Sequence, residues 1–137
     1  MGVRRFSPGD ESEVLALMRA LWGHATIEDD IEPLEVWVWA DADGSVTGFA
    51  SASLRDWAAG CESRPAPFLE GWFVAEHRRR GGVGAALVGA VEDWARSLGH
   101  TDLGSDTWLD NDLGRQAHEA LGFEEVERVI SYRKSLS

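Results

Sequence analysis

The feature that most constrains this chain is a strand that leads through an arginine-rich turn into glycines. The apolar run 68–74 predicts a buried strand, and Gly81, Gly82 and Gly84 open the amphipathic segment that follows. A helix beginning there turns its unpaired N–H groups and the positive end of its dipole toward one small region. Glycines let a phosphate group approach such a backbone closely. The segment therefore predicts an anion cradle.

Other interpretations of this segment exist. Gly81 and Gly82 could simply end a strand. A dinucleotide site of the GxGxxG type fits poorly in spacing, and a Walker loop is excluded because no GK[ST] ending is present. The arginines 78–80 could form a solvated face or a nucleic-acid patch, but three arginines in a chain of net charge −11 are a weak nucleic-acid footprint.

Hydrophobic periodicity predicts one layered α/β (α+β) domain over 1–137, with helices packed on a mixed sheet. The first half is predicted to contain a helix over about 10–22, a loop or short irregular helix over 23–34, and a hairpin of strands 35–40 and 46–54. The second half is predicted to contain a strand over 68–74, a helix from the glycines to Gly99, a strand around 101–106, a helix over 111–121 and a last strand over about 124–133. Asp10 and Glu13 are expected to form a capping box for the first helix, and Leu87, Val91, Trp94, Ala95 and Leu98 to form the core stripe of the second.

Composition narrows the setting of this domain. The 13 basic and 24 acidic residues disfavour nucleic acid and anionic membrane as partners and would attract a cationic small molecule, although such a charge can also serve solubility alone. The lone Cys61 and the absence of zinc-ligand spacing predict a reduced chain without a structural metal. No apolar run reaches the roughly 18 residues of a membrane span. We expect a cytoplasmic protein.

Two motifs resemble a known superfamily. The run from Arg79 to Gly84 resembles the R/Q-x-x-G-x-G/A signature of the GNAT superfamily of N-acetyltransferases, and Asn111 followed by Gly122-Phe123 resembles its N…GF segment. Further segments are similar to the aminoglycoside 6'-N-acetyltransferases: Leu21-Trp22, Ser53-Leu54-Arg55-Asp56, Gly60-Cys61-Glu62-Ser63, Phe68-Leu69-Glu70-Gly71, Ser105-Asp106-Thr107 and the run 118–130.

The resemblance implies acetyl-CoA as co-substrate, bound to a mostly antiparallel sheet whose central strands splay apart. The residues it implies for this cofactor are Trp72, Phe73 and Val74 for the pantetheine arm, Arg80, Gly81, Gly82, Val83, Gly84 and Ala85 for the pyrophosphate, and, as further cofactor-binding residues, Arg79 and Asn111. Without the resemblance, 72–74 would be an ordinary core strand, and Asn111 would be a helix N-cap.

An amine must be neutral to attack a thioester, so a carboxylate has to accept its proton directly or through water. The resemblance places Glu70 and Asp106 near the acceptor, at the ends of the central strands. We expect Asp106 to be the base and Glu70 to orient the amine or relay its proton; both could instead be solvated acids. His118 stands where many superfamily members carry a tyrosine that acts as general acid, but it could also be a surface histidine.

The acceptor would lie between the two variable connections. Aromatic faces suit sugar rings and carboxylates suit ammonium groups. The expected acceptor-binding residues are Trp22, His24, Trp57, Glu70, Asp106 and Glu127, with Glu28, Asp29 and Asp30 as further acids. Trp22 could instead be the last core position of its helix, and Tyr132 suits packing or an interface.

Three functions stay open at this stage. The chain could acetylate the 6'-amine of aminoglycoside antibiotics and so confer resistance, it could acetylate another small amine or a protein N-terminus, or it could be a non-catalytic acyl-CoA-binding module. The resemblance also implies a homodimer.

Overall fold

The computed structural model describes residues 1–137 as two compact units, 1–106 and 107–137. The first unit is built on one five-stranded sheet in the order β1-β2-β3-β4-β5. Its first three pairings are antiparallel and the last, β4 with β5, is parallel. The elements of this unit are β1 (Gly2–Arg5), α1 (Glu11–Trp22), β2 (Glu35–Ala40), β3 (Val46–Arg55), β4 (Ala66–Val74), α2 (Val83–Ser97) and β5 (Gly104–Ser105).

Strand β1 was not predicted from the sequence. It is four residues long and carries two arginines, so it has no apolar alternation to reveal it. It lies at the edge of the sheet, paired only with β2. The guanidinium of Arg5 lies 4.3 Å from the centre of the Trp37 ring on that neighbouring strand. Charged residues on a short edge strand discourage pairing with other chains.

The start of α1 differs from the predicted capping box. The Asp10 carboxylate accepts a hydrogen bond from the Ser7 backbone N–H (2.8 Å) and pairs with Arg4 (2.8 Å), so it organises the short turn before the helix. Glu13 instead accepts the backbone N–H of Val46 (2.9 Å). The predicted helix bounds are confirmed within one residue, but Asp10 closes a capping box with Ser7 in the turn before α1, and Glu13 makes a tertiary contact instead.

The two helices of the first unit bury their apolar stripes in the core. From α1 the buried residues are Val14, Leu15 and Met18, and from α2 they are Val83, Leu87, Val88, Val91 and Ala95. Trp94 packs edge-on against Trp37. The prediction that Leu98 belongs to the core stripe was wrong, because Leu98 is the residue that ends α2 and is 48% exposed. Gly99, with φ +85°, provides the predicted stop.

The connections match the predictions in part. The turn between β2 and β3 is confirmed, and residues 23–34 contain one short irregular helical turn, Ile27–Ile31, capped by Thr26. The strand expected around 101–106 is reduced to the two residues of β5. β5 pairs with β4 at two positions, Phe68↔Gly104 and Leu69↔Ser105.

The second unit contains α3 (Asp112–Ala120), which ends before Gly122 at φ +92°. The strand predicted over 124–133 was wrong: residues 123–137 form no helix or strand. A strand needs a ladder of hydrogen bonds with a neighbour, and alternating apolar residues alone do not supply one. None of the helices in the structure combines the length and the apolar character that crossing a membrane requires.

Candidate acyl-transfer site

A β-bulge places Glu70. Ser51 pairs with Gly71 but Ala52 pairs with Leu69, so Glu70 is an extra residue in β4 with no partner in β3. Such a bulge redirects the side chains around it. Here it brings the Glu70 carboxylate over the end of β3, where Ser53 and Arg55 lie.

The Glu70 carboxylate is held by three hydrogen bonds. Its Oε2 accepts one from the Ser53 hydroxyl (2.6 Å) and one from Arg55 Nε (3.0 Å), and its Oε1 accepts one from Arg55 Nη2 (2.7 Å). This fork-to-fork pairing fixes the orientation of both groups. The side chain of Glu70 is 19% exposed and that of Arg55 is 42% exposed, so the pair lies at the surface end of the sheet.

Asp106 reaches the same guanidinium by its charge. It directly follows β5 and is exposed. The hydrogen bonds from Arg55 to Glu70 raise the pKa of Arg55, burial opposes this rise, and the charges of Glu70 and Asp106 add to it. Both carboxylates that the sequence singled out therefore act on one guanidinium, Glu70 by direct hydrogen bonds and Asp106 by its charge. We call Arg55, Glu70 and Asp106 the carboxylate cluster.

The sequence motifs contained Arg55 and Ser53 without giving either a role. Both lie in β3, two residues apart, so both side chains point to one face of the sheet. The alternation of side chains along a strand could therefore have predicted that Ser53 and Arg55 share a face. The bulge that adds Glu70 to this face leaves no mark in the sequence.

Trp22 lies against the backbone of β4 beside Glu70. A Cβ atom built on Gly71 would come within 2.5 Å of Trp22 Cζ2, so only glycine admits the indole here. The indole also packs edge-on against Phe49, with ring centroids 5.7 Å apart. Trp22 is therefore both a partly buried packing residue and a wall beside the bulge. His24 and Trp57 are exposed on the two connecting segments, Trp57 by 54%.

The second half of β4 has an incomplete set of strand neighbours. Trp72, Phe73 and Val74 pair with β3 on one side. On the other side the β5 pairing stops at Leu69. An extended ligand arm with amide groups could add to such a strand by main-chain hydrogen bonds.

The turn after β4 is held by its arginines and shaped by glycine. Arg78 pairs with Asp41 (3.1 Å), while Arg79 donates to the carbonyl of Val74 (2.9 Å) and lies 5.1 Å from the centre of the Phe73 ring. These two side chains fasten the turn to the sheet. Arg80 is exposed and has φ +70°, in the left-handed region that non-glycine residues rarely adopt.

Helix α2 begins directly after this turn. Its N-cap is Gly82, at φ +82°, with no side-chain cap, and the first helical hydrogen bond runs from Ala86 N–H to the Gly82 carbonyl. The N–H groups of the first helical turn thus have no acceptor within the helix. A Cβ on Gly84 would stand 3.4 Å from Trp72 Nε1, so this glycine brings the helix start close to β4. We call residues 79–85 the glycine turn.

In the second unit, Asn111 is engaged locally. Its Oδ1 accepts the N–H of Gly114 and its Nδ2 donates to Thr107, each at 3.0 Å, so it is the N-cap of α3. His118 Nδ1 lies 2.7 Å from the Gly114 carbonyl, and its ring packs edge-on against Phe123. Glu127 is exposed in the segment after α3.

A strand that leads through a glycine turn into a helix is what the N-acetyltransferase resemblance implies. The sequence profile of the Acetyltransferase (GNAT) family matches residues 6–123. The chain belongs to this family.

Curated and solved members of the GNAT family extend the match over almost the whole chain. The aminoglycoside N(6')-acetyltransferase type 1 of Klebsiella aerogenes is 38% identical, over 98% of this chain and 96% of its own. The crystal structure of the 6'-N-acetyltransferase AAC(6')-Ih from Acinetobacter baumannii superposes with a TM-score of 0.88 at 30% identity, over 99% of both chains. AAC(6')-Iy in complex with the bisubstrate analogue CoA-S-monomethyl-acetylneamine superposes with a TM-score of 0.84 at 38% identity, over 97% of both chains.

Proposed function

We propose that this GNAT acetyltransferase transfers the acetyl group of acetyl-CoA to the 6'-amine of aminoglycoside antibiotics and thereby confers resistance to them. The single observation that carries the proposal is the carboxylate cluster: one carboxylate at the bulge inside β4, Glu70, and one directly after β5, Asp106, act on one cation, Arg55. A site of this kind suits an ammonium group. The relatives named above support the same substrate class, because one of them is described with an analogue joining CoA to acetylneamine.

Acetyl-CoA fits the chain's own groups. Its amide-bearing arm suits the incomplete side of β4 along 72–74, and its pyrophosphate suits the glycine turn, where N–H groups of the helix start converge. Arg79 and Arg80 are both exposed, but Arg79 donates a hydrogen bond to the Val74 carbonyl and fastens the turn, so we assign Arg80 to the pyrophosphate. Asn111 would contribute by shaping the start of α3, since both ends of its amide are already bonded.

The reaction we infer is direct attack of the amine on the thioester within one ternary complex. The acceptor ammonium gives a proton to Asp106 and the neutral nitrogen forms the C–N bond. The C–S bond then breaks, the nitrogen gives up its second proton as the amide forms, and the thiolate takes up a proton. Backbone N–H groups of β4 would stabilise the developing oxyanion. His118 is our candidate for the group that would give the thiolate its proton, which it can do only from a ring nitrogen that carries one.

A turnover assay with a panel of acceptors tests the proposal. Kanamycin and tobramycin, which carry a 6'-amine, should be acetylated, whereas analogues with a 6'-hydroxyl should not be. Equal turnover of both kinds would contradict the 6' position. Preferred turnover of polyamines or peptides would make this an acetyltransferase for another amine, and acetyl-CoA binding without any turnover would make it a non-catalytic module.

The cellular role is a separate part of the proposal. We place the enzyme in the cytoplasm, where acetyl-CoA is available and where Cys61 would stay reduced. Expression in a susceptible bacterium should raise the inhibitory concentration of aminoglycosides with a 6'-amine. The Asp106→Asn variant, expressed at the same level, should not.

We also propose that the protein is a homodimer. The segment after α3 exposes large apolar side chains, namely Val126 (59%), Val129 (72%), Ile130 (76%), Tyr132 (89%) and Leu136 (91%). Four of these five are at even positions, as in a strand with one apolar face. Light scattering after gel filtration should give twice the chain mass, and an Ile130→Asp/Tyr132→Asp variant should give the monomer mass. A monomeric wild type would refute the dimer.

A further inference from the structure

Arg55 has no part in the mechanism above, although it touches the centre of the site. Its guanidinium forms two hydrogen bonds to Glu70, and its central carbon lies 3.6 Å from the centre of the Phe68 ring. The guanidinium lies over the face of the Phe68 ring, and the N–H groups of the guanidinium bind the carboxylate. A lysine would keep the charge but could not make this fork.

Glu70 and Asp106 act on this guanidinium in different ways. Three of the roughly four lone-pair sites of the Glu70 carboxylate accept hydrogen bonds, two of them from a guanidinium, so only one site, on Oε1, is open to a proton. Asp106 is exposed and acts on Arg55 through its charge. Two carboxylates of one site are thus made chemically different by a single arginine.

We propose that Arg55 is a positioning residue that gives the two carboxylates separate roles: it keeps Glu70 as a fixed anionic contact and leaves Asp106 to accept the proton of the amine. The inference rests on the proposed function and deepens it. It follows that Glu70 is prevented from acting as a base by its pairing, not by its location. When Arg55 is replaced by a neutral residue, Glu70 is released and can take over proton transfer.

A double-mutant cycle tests this assignment. Asp106→Asn should lower kcat by about 10²-fold, and Arg55→Gln alone by about 10-fold, because Glu70 loses its fixed orientation. If the two effects were independent, the double variant would lose about 10³-fold. Our proposal predicts instead that Arg55→Gln/Asp106→Asn is no slower than Asp106→Asn, because the freed Glu70 serves as a substitute base.

Two further variants separate this role from a structural one. Arg55→Lys keeps a cation beside Glu70, so Glu70 is not released. The kcat of Arg55→Lys/Asp106→Asn should therefore be lower than that of Asp106→Asn. Arg4→Gln breaks a different arginine–carboxylate pair, Arg4–Asp10, and should leave the kcat loss of Asp106→Asn unchanged. Circular dichroism and melting temperature check that each variant folds, and Arg55→Met, which is also neutral, carries the test if Arg55→Gln does not fold.

The outcomes are distinct. Two results in folded variants would overturn the proposal for Arg55. The first is that Arg55→Gln and Asp106→Asn lower kcat independently. The second is that Arg55→Lys/Asp106→Asn has as high a kcat as Arg55→Gln/Asp106→Asn. No turnover by the wild type would overturn the proposed function and this inference with it. A further loss in the triple variant with Glu70→Gln, relative to Arg55→Gln/Asp106→Asn, would identify Glu70 as the substitute base.

Discussion

The glycine turn and the carboxylate cluster are built on opposite principles. The glycine turn is contiguous in sequence, and its chemistry comes from backbone N–H groups released by glycines at a helix start. The carboxylate cluster takes one residue from each of three distant positions, and its chemistry comes from charged side chains. A substitution in the carboxylate cluster changes one contact, whereas a substitution that distorts the helix start displaces all of its N–H groups together. We therefore expect the acceptor side to vary in specificity while the cofactor side keeps one function.

The largest expected effect is on the acceptor side. Asp106→Asn keeps shape and hydrogen-bonding reach but removes the base, so kcat should fall by about 10²-fold or more, while the Michaelis constant for acetyl-CoA should barely move. Steady-state kinetics over about pH 6 to 9 measure both quantities. Near-normal turnover of Asp106→Asn, together with loss of turnover in Glu70→Gln, would give the role of base to Glu70.

The next largest effect should be on the cofactor side. Gly82 has φ +82°, so Gly82→Val strains the backbone and places a side chain at the helix start. The Michaelis constant for acetyl-CoA should rise about tenfold or more, because the N–H groups of the first turn no longer converge. Titration of acetyl-CoA at saturating acceptor measures it.

Gly89→Ala is the matched control for that variant. It lies in the same helix and has open space around its added Cβ, so the constant for acetyl-CoA should stay as in the wild type. If a folded Gly82→Val variant also kept the wild-type constant, the glycine turn would have no part in binding the cofactor.

A smaller effect should separate shape from charge on the acceptor side. Gly71→Ala would put a Cβ 2.5 Å from Trp22 Cζ2, so the indole has to move. We expect the free energy of unfolding to fall by about 1–3 kcal/mol and the Michaelis constant for the acceptor to rise. Denaturant unfolding and acceptor titrations measure the two.

Adding Trp22→Phe to Gly71→Ala should recover part of the lost stability, because phenylalanine lacks the outer ring atom in contact. Additive losses in the double variant would show that Trp22 is not what Gly71 accommodates.

The smallest effect on activity should come from an ion pair that we assign to neither region. Hydrogen bonding to Arg4 lowers the pKa of Asp10, and burial opposes this shift. The pair therefore stabilises the fold above the ordinary carboxyl pKa, and this stability is lost as the pH falls through the lowered pKa. Asp10→Asn should thus destabilise the protein near neutral pH, and the difference from the wild type should shrink below about pH 4.

Denaturant unfolding at several pH values checks this prediction, and both Michaelis constants should stay unchanged. A stability difference that grows as the pH falls would contradict the assigned direction. A changed Michaelis constant would mean that the carboxylate at position 10 reaches one of the two regions after all.

The two regions also differ in how far the sequence predicted them. The backbone of the glycine turn and the start of α2 were predicted almost residue by residue, because glycine encodes such local geometry directly. Glu70 and Asp106 were singled out by resemblance, but their link through Arg55 depends on a bulge and on the register of β3 and β4. Neither has a local signature.

Predictions for single elements failed for a similar reason. The strand expected over 124–133 has the right residue types, yet those residues form no strand in this chain. β1 has the wrong residue types, yet β2 offers it an edge. In both cases the presence or absence of a neighbouring strand decided the outcome, and periodicity within one segment does not contain that information.

The left-handed backbone at Arg80 means that laboratory selection would pull this position in two directions. A non-glycine residue at φ +70° costs on the order of 1 kcal/mol relative to glycine. Selection for thermal stability of the protein alone should therefore favour glycine at position 80. Selection for growth on antibiotic should keep arginine, whose charge lies beside the helix start. The residue found at this position after many generations would record which of the two pressures prevailed.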